Sequence, residues 1–224
     1  MTQPWKIIDS VPSEEGLLEL LSRGERDFLL KVDGRILMNS TLHLTEKALA
    51  KSTCAKLKGT VDPKVLIGGL GMGYTLRAAL DHLPAKCEVL VAELNPVVVR
   101  WCRGPLANLT NWAVSDGRVQ VKVADVAQVI AHAAQKGAHH RFDAIILDLY
   151  EGPRESNRQK GDPFYGDGAL KKTKAALHPK GIFAVWSEDP DRSFETRLTR
   201  HGFSFQRLRP GRGGPRHTVY LAEK

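Results

Sequence analysis

The chain has 224 residues, of which 42% are hydrophobic and 26% are charged, and its formal net charge is +8. These proportions exclude an intrinsically disordered chain, and a chain of this length can bury a core without disulfides or metals. No apolar run reaches the roughly 18 residues of a transmembrane helix, and the first residues lack the pattern of a signal peptide. We therefore expect a cytoplasmic protein with no membrane contact.

Cysteine content and charge distribution bear on the compartment and the partners. Cys54, Cys87 and Cys102 are odd in number and show no CxxC spacing, which predicts neither a disulfide framework nor a metal site. Five of the eight excess positive charges lie within 200–224. A basic end of this kind can attract nucleic acid, but no aromatic or Gly-rich signature accompanies the arginines. The favoured interpretation is a solvated basic surface.

The N-terminal part predicts a small antiparallel β-unit followed by a linking helix. Over 17–39, short apolar runs alternate with turn signals, and Asp33-Gly34 is a tight-turn candidate because both residues tolerate a positive φ. Residues 45–58 carry apolar side chains at helical spacing, with Thr45 as a plausible N-cap.

Further along the chain, strands alternate with helices. The predicted strands read KVLIGGL, CEVLVAEL, RVQVKVAD, FDAIILDLY, IFAVWS, FSFQRLR and HTVYLAE, and the predicted helices read TLRAALDHL, PVVVRWCRGPLANL, VAQVIAHAAQKG, ALKKTKAALHPKG and SFETRLTRHG. This alternation predicts a doubly wound α/β fold with a mainly parallel seven-stranded sheet, closed by an antiparallel edge hairpin. We divide the chain into a β-unit with its linking helix, 1–62, and an α/β domain, 63–224.

One long loop interrupts the alternation. Residues 151–168 are rich in Gly, Pro and charge and directly follow the fourth strand of the α/β domain. Loops of this length in a compact domain are usually functional, and doubly wound folds bind ligands at the carboxyl ends of their parallel strands. The loop is therefore predicted to act as a lid.

The first strand of the α/β domain runs into a glycine-rich turn. Gly69, Gly71 and Gly73 let the backbone bend sharply and let a ligand approach it, and the following helix offers free N–H groups. Tyr74 stands where the third glycine of the dinucleotide fingerprint would be. The turn therefore favours a mononucleoside such as S-adenosylmethionine over a dinucleotide.

Acidic residues end the next three strands. Glu93 lies 24 residues after Gly69, where a carboxylate can accept hydrogen bonds from two ribose hydroxyls. Asp125 ends the third strand, where a side chain can meet an adenine amino group, and Asp148 ends the fourth. Each of them alone is also compatible with a helix N-cap or a turn. Together they predict a nucleoside site.

Four segments, VLIGGLGMGYTLRAAL, VLVAELNP, VKVADVAQVI and FDAIILDLYEGP, occur in this order. They resemble the spermidine synthases (polyamine aminopropyltransferases), which have the fold of S-adenosylmethionine-dependent class I methyltransferases. The resemblance covers roughly residues 26–190. It implies a transferase of polyamine biosynthesis. In that family the N-terminal units pack between subunits, which implies a homodimer.

The resemblance also assigns roles to residues. It implies a donor site formed by Gly69, Gly71, Met72, Gly73, Glu93 and Asp125. Glu93 would hold the ribose and Asp125 the adenine of S-adenosylmethionine or its decarboxylated form. Asp148 and Glu151 match the two acids of the family's Asp-Ser-Thr-Asp-Pro motif, so Asp148 is implied to orient and deprotonate a small amine acceptor. No metal is implied.

Three departures from the family bear on the substrates. When the turns are aligned on the shared Thr-Leu-Arg of 75–77, the family's acidic residue falls on Met72, which cannot repel the carboxylate of ordinary S-adenosylmethionine. The family's Tyr-His-Glu tripeptide, part of the amine pocket, is absent, and the nearest segment, 45–50, reads Thr-Glu-Lys-Ala-Leu-Ala. Leu37 or Met38 replaces a family glutamine.

The sequence leaves three functions open. The first is aminopropyl-type transfer to an amine. The second is methyl transfer from S-adenosylmethionine to a small amine, or to RNA drawn by Arg207, Arg209, Arg212 and Arg216. The third is a nucleoside-binding protein without catalysis.

Overall fold

The structure is a computed structural model that describes residues 3–13, 16–150, 152–153, 161–210 and 217–224. Within these ranges the chain forms two β-sheets and six α-helices.

The smaller sheet is N-terminal and antiparallel. Its strands are β1 (Lys6–Ser13), β2 (Gly16–Arg23), β3 (Asp27–Val32) and β4 (Arg35–Asn39), and they lie in the order β1-β2-β3-β4. The predicted antiparallel β-unit is confirmed, and so is its tight turn, where Asp33 has a φ of 46° and Gly34 a φ of 76°. Strand β1 was not predicted. It is an edge strand in which the adjacent Ile7 and Ile8 are both exposed, and its sequence lacks the strict alternation of apolar and polar residues that marks a half-buried strand.

The larger sheet has seven strands. They are β5 (Lys64–Gly68), β6 (Glu88–Glu93), β7 (Val119–Val123), β8 (Phe142–Leu147), β9 (Leu177–Ser187), β10 (Ser204–Leu208) and β11 (Thr218–Glu223), and they lie in the order β10-β11-β9-β8-β5-β6-β7. Neighbours from β7 to β9 are parallel, whereas β11 is antiparallel to both β9 and β10. The predicted doubly wound, mainly parallel sheet is confirmed, with β10 at its edge.

Helices cover both faces of the larger sheet. They are α1 (Leu44–Lys56), α2 (Tyr74–His82), α3 (Pro96–Arg103), α4 (Val126–Lys136), α5 (Asp167–Ala176) and α6 (Arg192–Arg200). One hydrophobic cluster joins the buried sides of α1, α2 and α3 to the inner face of the smaller sheet, which contributes Leu18 and Phe28. A second cluster lies under α4, α5 and α6. The smaller sheet therefore shares a core with the larger one. The division of the chain at residue 62 stays a prediction.

Two details of the predicted helices were wrong. Thr45 is not the N-cap of α1: His43 occupies that position, and the Thr45 hydroxyl donates to the neighbouring Glu46 carboxylate instead. Helix α3 ends at Arg103, well short of residue 109, because Pro105 cannot continue a helix and also restricts the residue before it.

The predicted helix over 169–181 was wrong in its second half. Helix α5 ends at Ala176, and β9 begins at the next residue. Pro179 lacks the N–H that a helix interior needs. Phe142 pairs with Leu177 but Ala144 pairs with Ile182, so the residues between them bulge out of the sheet.

Candidate active site

The glycine turn lies between β5 and α2, as predicted. Gly69, Gly71 and Gly73 have φ values of 86°, 52° and 83°, which residues other than glycine rarely adopt. A Cβ on Gly69 would lie 2.4 Å from the backbone oxygen of Asp148, and a Cβ on Gly71 would lie 2.6 Å from Sδ of Met38. The turn therefore brings β5, the end of β8 and strand β4 of the smaller sheet into close contact.

Glu93 borders this turn from the end of β6. Its side chain is buried, Oε2 accepts the Leu70 N–H at 2.8 Å, and Oε1 accepts the Asn95 N–H at 2.9 Å. These bonds fix the carboxylate beside the glycine turn. A carboxylate in this position could bind ligand hydroxyls, because carboxylate oxygens are hydrogen-bond acceptors.

Asp125 lies two residues after the end of β7 and is the N-cap of α4. Its Oδ1 accepts the Ala127 N–H at 2.8 Å. The capping role that the sequence left open is thus realised, and a contact with a ligand would use the other oxygen.

Asp148 follows β8 and is half-buried. Its Oδ2 accepts a hydrogen bond from the Thr75 hydroxyl in the first turn of α2. Burial raises the pKa of the Asp148 carboxyl to about 7, the negative charge of Glu46 adds to the rise, and the bond from Thr75 opposes it. A carboxyl with such a pKa exchanges its proton near neutral pH.

Glu46 reaches this place from the first turn of α1. Burial raises the pKa of Tyr74 to about 12, and the negative charge of Glu46 adds to this rise, as it does for Asp148. Tyr74 donates its hydroxyl to the Ser40 backbone oxygen at 2.8 Å. The charge of Glu46 therefore acts on both Asp148 and Tyr74, which lie beside the glycine turn.

Thr45 connects Glu46 to two further side chains, Trp186 and His217. Thr45 Oγ1 donates to Glu46 Oε2 at 2.8 Å and accepts from Trp186 Nε1 at 3.3 Å. His217 Nδ1 lies 3.4 Å from the same Thr45 oxygen, and the rings of Trp186 and His217 meet edge-on with centroids 5.0 Å apart. Helix α1, the end of β9 and the start of β11 thus meet beside Asp148.

Two of the predicted site residues do not contribute a described side chain to the crevice. The Met72 side chain is completely buried in the core under α2, so any contact with a donor would come from its backbone. Glu151 lies outside the described residues, as do 154–160 of the predicted lid. Gly152 packs against the backbone of Trp186 and Ser187.

The described residues contain no group of three or more His, Cys, Asp or Glu placed to hold a metal ion. None of the described helices combines the length and the apolar character that crossing a membrane requires.

Sequence comparison relates the chain to polyamine-synthesising enzymes. It is 29% identical over 128 residues to a spermine synthase of Saccharomyces cerevisiae, covering 56% of this chain and 40% of that protein. It is 30% identical over 128 residues to a polyamine aminopropyltransferase of Clostridium tetani, covering 57% of this chain and 41% of that protein. The corresponding enzyme of Hyperthermus butylicus gives 35% over 131 residues, 56% of this chain and 42% of the relative. The chain thus spans about two fifths of the length of these curated relatives. No family model matches it.

Structural comparison agrees. A spermidine synthase of Thermotoga maritima superposes with a TM-score of 0.75 at 20% identity, over 97% of this chain and 72% of the other. The chain is similar in sequence to polyamine aminopropyltransferases and similar in fold to a spermidine synthase. A spermidine synthase in complex with the transition state analogue AdoDATO gives a TM-score of 0.74 with the same coverage. Human methyltransferase-like protein 13 in complex with SAH gives 0.58 at 21% identity over 80% of this chain and 79% of the other. The predicted resemblance and the class I methyltransferase-like fold are confirmed.

The sequence analysis did not single out Glu46, Thr45 or His217, which the structure brings close to one another and to Asp148. The available signal was weak. Residues 45–50 are the segment nearest to the position of the family's Tyr-His-Glu tripeptide, and Glu46 is the acid in this segment. Nothing in the sequence linked His217 to this segment, because the two lie 172 residues apart along the chain.

Proposed function

We propose that the chain is a spermidine synthase-like transferase. It binds an S-adenosylmethionine-type nucleoside and alkylates an amine by aminopropyl-type transfer. The observation that carries this proposal is Asp148, a half-buried carboxyl whose pKa is raised to about 7, next to the glycine turn. The sequence and structural likeness to aminopropyltransferases supports it.

The chemistry requires a base. An alkylammonium has no lone pair and cannot attack a sulfonium-bound carbon until it loses a proton. The ionised Asp148 carboxylate takes that proton, and its raised pKa makes it a stronger base than an ordinary aspartate. The amine nitrogen then forms a bond to the donor carbon while the carbon–sulfur bond breaks, and the sulfur leaves as a neutral thioether. Orientation of the two reactants supplies most of the remaining rate.

The Asp148→Asn variant tests this role. Turnover should fall by about 10²–10⁴-fold, the usual contribution of a general base, while nucleoside affinity stays within twofold or so of the parent. Asp143→Asn is the matched control, because Asp143 lies at the opposite end of β8 and accepts the Lys64 backbone N–H. Normal turnover by the Asp148 variant would overturn the assignment.

The donor would bind along the glycine turn, with Glu93 on the ribose and Asp125 on the adenine. A thermal-shift titration with S-adenosylmethionine, its decarboxylated form and methylthioadenosine identifies it. A ligand at about 100 times its dissociation constant adds about 2.7 kcal/mol, which raises the melting temperature of a chain of this size by roughly 5–10 °C. We expect the decarboxylated donor and methylthioadenosine to give this shift.

The second candidate is a methyltransferase that uses ordinary S-adenosylmethionine. Met72 in place of the family's acid favours it, and so does the likeness in fold to human methyltransferase-like protein 13. A shift that is largest with ordinary S-adenosylmethionine would make methyl transfer the better function. An RNA acceptor would in addition show affinity that falls steeply with salt. A shift without turnover for any acceptor would indicate a nucleoside-binding protein.

We also propose that the chain is a cytoplasmic homodimer. All three cysteines are described, and each is free and buried, which suits a reducing compartment. The dimer is supported by apolar side chains that the smaller sheet leaves exposed, including Ile7 and Ile36.

A further inference from the structure

The proposed function assigns the proton transfer to Asp148 but leaves the side chains behind Glu46 without a role. Leu147 pairs with Val185, so Asp148 and Trp186 follow on neighbouring parallel strands and point to the same face. Trp186 in turn pairs with Val219 of β11, close to His217. The pairing of β8, β9 and β11 therefore places Asp148, Trp186 and His217 near each other independently of any ligand.

The Thr45 oxygen has three neighbours, Glu46, Trp186 and His217, but its hydroxyl can donate only one proton. The hydroxyl has one proton, and Glu46 Oε2, a carboxylate oxygen at 2.8 Å, accepts it. The indole of Trp186 can only donate, so its Nε1–H points at the Thr45 oxygen. His217 Nδ1, at 3.4 Å, can then make a favourable contact with that oxygen only by donating. The imidazole must therefore carry a proton on Nδ1.

These hydrogen bonds hold the Glu46 carboxylate in place through Thr45. Two donors, from Trp186 and His217, leave the Thr45 proton directed at Glu46. The Thr75 hydroxyl joins the two acids: it donates to Asp148 and lies 3.5 Å from the Glu46 backbone oxygen. The charges of Glu46 and Asp148 act on each other, and Glu46 also acts on Tyr74 from α2. The other titratable groups nearby are His43 and Lys47, which contact the Tyr74 ring, and His217, which contacts Thr45. Among all these groups, Asp148 carries the same charge as Glu46.

We propose that Thr45, Trp186 and His217 are positioning residues for the transfer: they fix the Glu46 carboxylate, and Glu46 sets the protonation of Asp148. The assignment of a catalytic proton to Asp148 rests on the proposed function, whereas the network itself can be tested without a substrate. Thr45→Val removes the hydroxyl at nearly constant volume and frees Glu46 to turn toward water, whereas Thr45→Ser retains the hydroxyl.

The first measurement is the titration of the Asp148 carboxyl, followed by ¹³C NMR. We expect Glu46→Gln to lower its midpoint by about one pKa unit, the size of a close like-charge effect, with Thr45→Val shifting it in the same direction and Thr45→Ser leaving it in place. Thr196→Val is the control, because that hydroxyl lies on the exposed side of α6 and bonds its own helix. An unchanged midpoint in Thr45→Val would overturn the proposal.

The second measurement is the tautomer of His217, read from its ¹⁵N shifts in the parent chain. A proton on Nδ1 is expected, and a neutral ring protonated on Nε2 alone would overturn the proposal. His217→Leu should lower the Asp148 midpoint as Thr45→Val does, while His217→Asn, whose amide can donate, should preserve it. If these shifts occur but Asp148→Asn turns over normally, the proposed function fails and the positioning network stands.

Discussion

Asp148 links the chemistry of the site to the stability of the chain. Its pKa rises from the ordinary 3.8 to about 7 on folding, so between these values the folded chain binds more protons than the unfolded chain. The contribution of Asp148 to the free energy of unfolding therefore falls as the pH rises from about 4 to about 7. A shift of this size corresponds to about 4 kcal/mol.

Asp148→Asn removes this penalty while it keeps an acceptor for the Thr75 hydroxyl. We expect the variant to be more stable than the parent by about 2–4 kcal/mol at pH 8, with the difference shrinking to near zero at pH 4. Urea denaturation at a series of pH values measures it. Parallel pH profiles for the two proteins would show that the carboxyl titrates normally in the folded chain.

Asp125 has one oxygen engaged in a helix cap and one available to a ligand. Asparagine caps helices as well as aspartate, so Asp125→Asn should leave the free energy of unfolding nearly unchanged, whereas Asp125→Ala should lower it by about 1 kcal/mol. Both variants should weaken nucleoside binding, because both lose the carboxylate. Denaturation and calorimetry separate the two effects. Nucleoside affinity equal to the parent in both variants would restrict Asp125 to its capping role.

For single residues, the sequence predicted those positions that follow from the order of strands along the chain. The carboxyl ends of parallel strands meet at one edge, so Glu93, Asp125 and Asp148 were expected together. The structure places each of them at the last residue of its strand or within two residues beyond it. Glu46 and His217 were not predicted. Their approach depends on how α1 and β11 pack on the sheet, and no local pattern encodes that packing.

The glycine turn makes a prediction at the scale of one element. Gly69 and Gly59 both have positive φ, 86° and 88°, but a Cβ at Gly59 meets nothing within 4 Å. Gly59→Ala should therefore lower the free energy of unfolding by about 1–2 kcal/mol, the cost of a left-handed alanine. Gly69→Ala should lose a further 1–3 kcal/mol or so, because its Cβ meets the Asp148 backbone.

Urea denaturation of the two glycine variants measures the difference directly, since Gly59→Ala controls for backbone strain. Nucleoside binding supplies an independent readout. It should persist in Gly59→Ala and be lost in Gly69→Ala, whose turn must shift. An equal free energy of unfolding for the two variants would mean that the turn can shift away from the new Cβ without loss of stability.

The elements themselves were predicted to different degrees. Strands β5 and β8 are buried on both faces, so their continuous apolar runs identify them. Helix ends were less certain. The boundary between α5 and β9 was wrong because the apolar spacing continues through Leu177, and the pairing with Phe142 that converts it into a strand lies outside any local window.

The whole molecule depends on how the smaller sheet attaches to the larger one. Asp9 of β1 accepts hydrogen bonds from Arg100 and from the Trp101 indole of α3, both at 2.6 Å. These bonds lower the pKa of Asp9, the one from Trp101 most. The inner face of the sheet, with Leu18, shares the core of the larger unit. On its outer face Leu21 and Leu29 are buried, whereas Ile7, Leu17 and Ile36 are exposed.

That outer face supports the proposed homodimer. Ile7 pairs with Leu21, and Ile36 pairs with Lys31, which places both on the side away from the core. Ile7, Leu17 and Ile36 are 59%, 41% and 52% exposed. Leu17 shares this face because it lies four residues before Leu21 on β2. Apolar side chains grouped on one sheet face are typical of an interface between subunits.

We predict that the parent chain elutes at twice the monomer mass in light scattering, and that Ile36→Glu shifts it to the monomer. A buried, unpaired carboxylate at the interface costs far more than the contact that it replaces. Val61→Glu is the matched control, because Val61 is 84% exposed, lies on the loop before β5 and is not part of the smaller sheet. It should remain dimeric. A monomeric parent would remove the dimer, and a dimeric Ile36 variant would place the interface elsewhere on the chain.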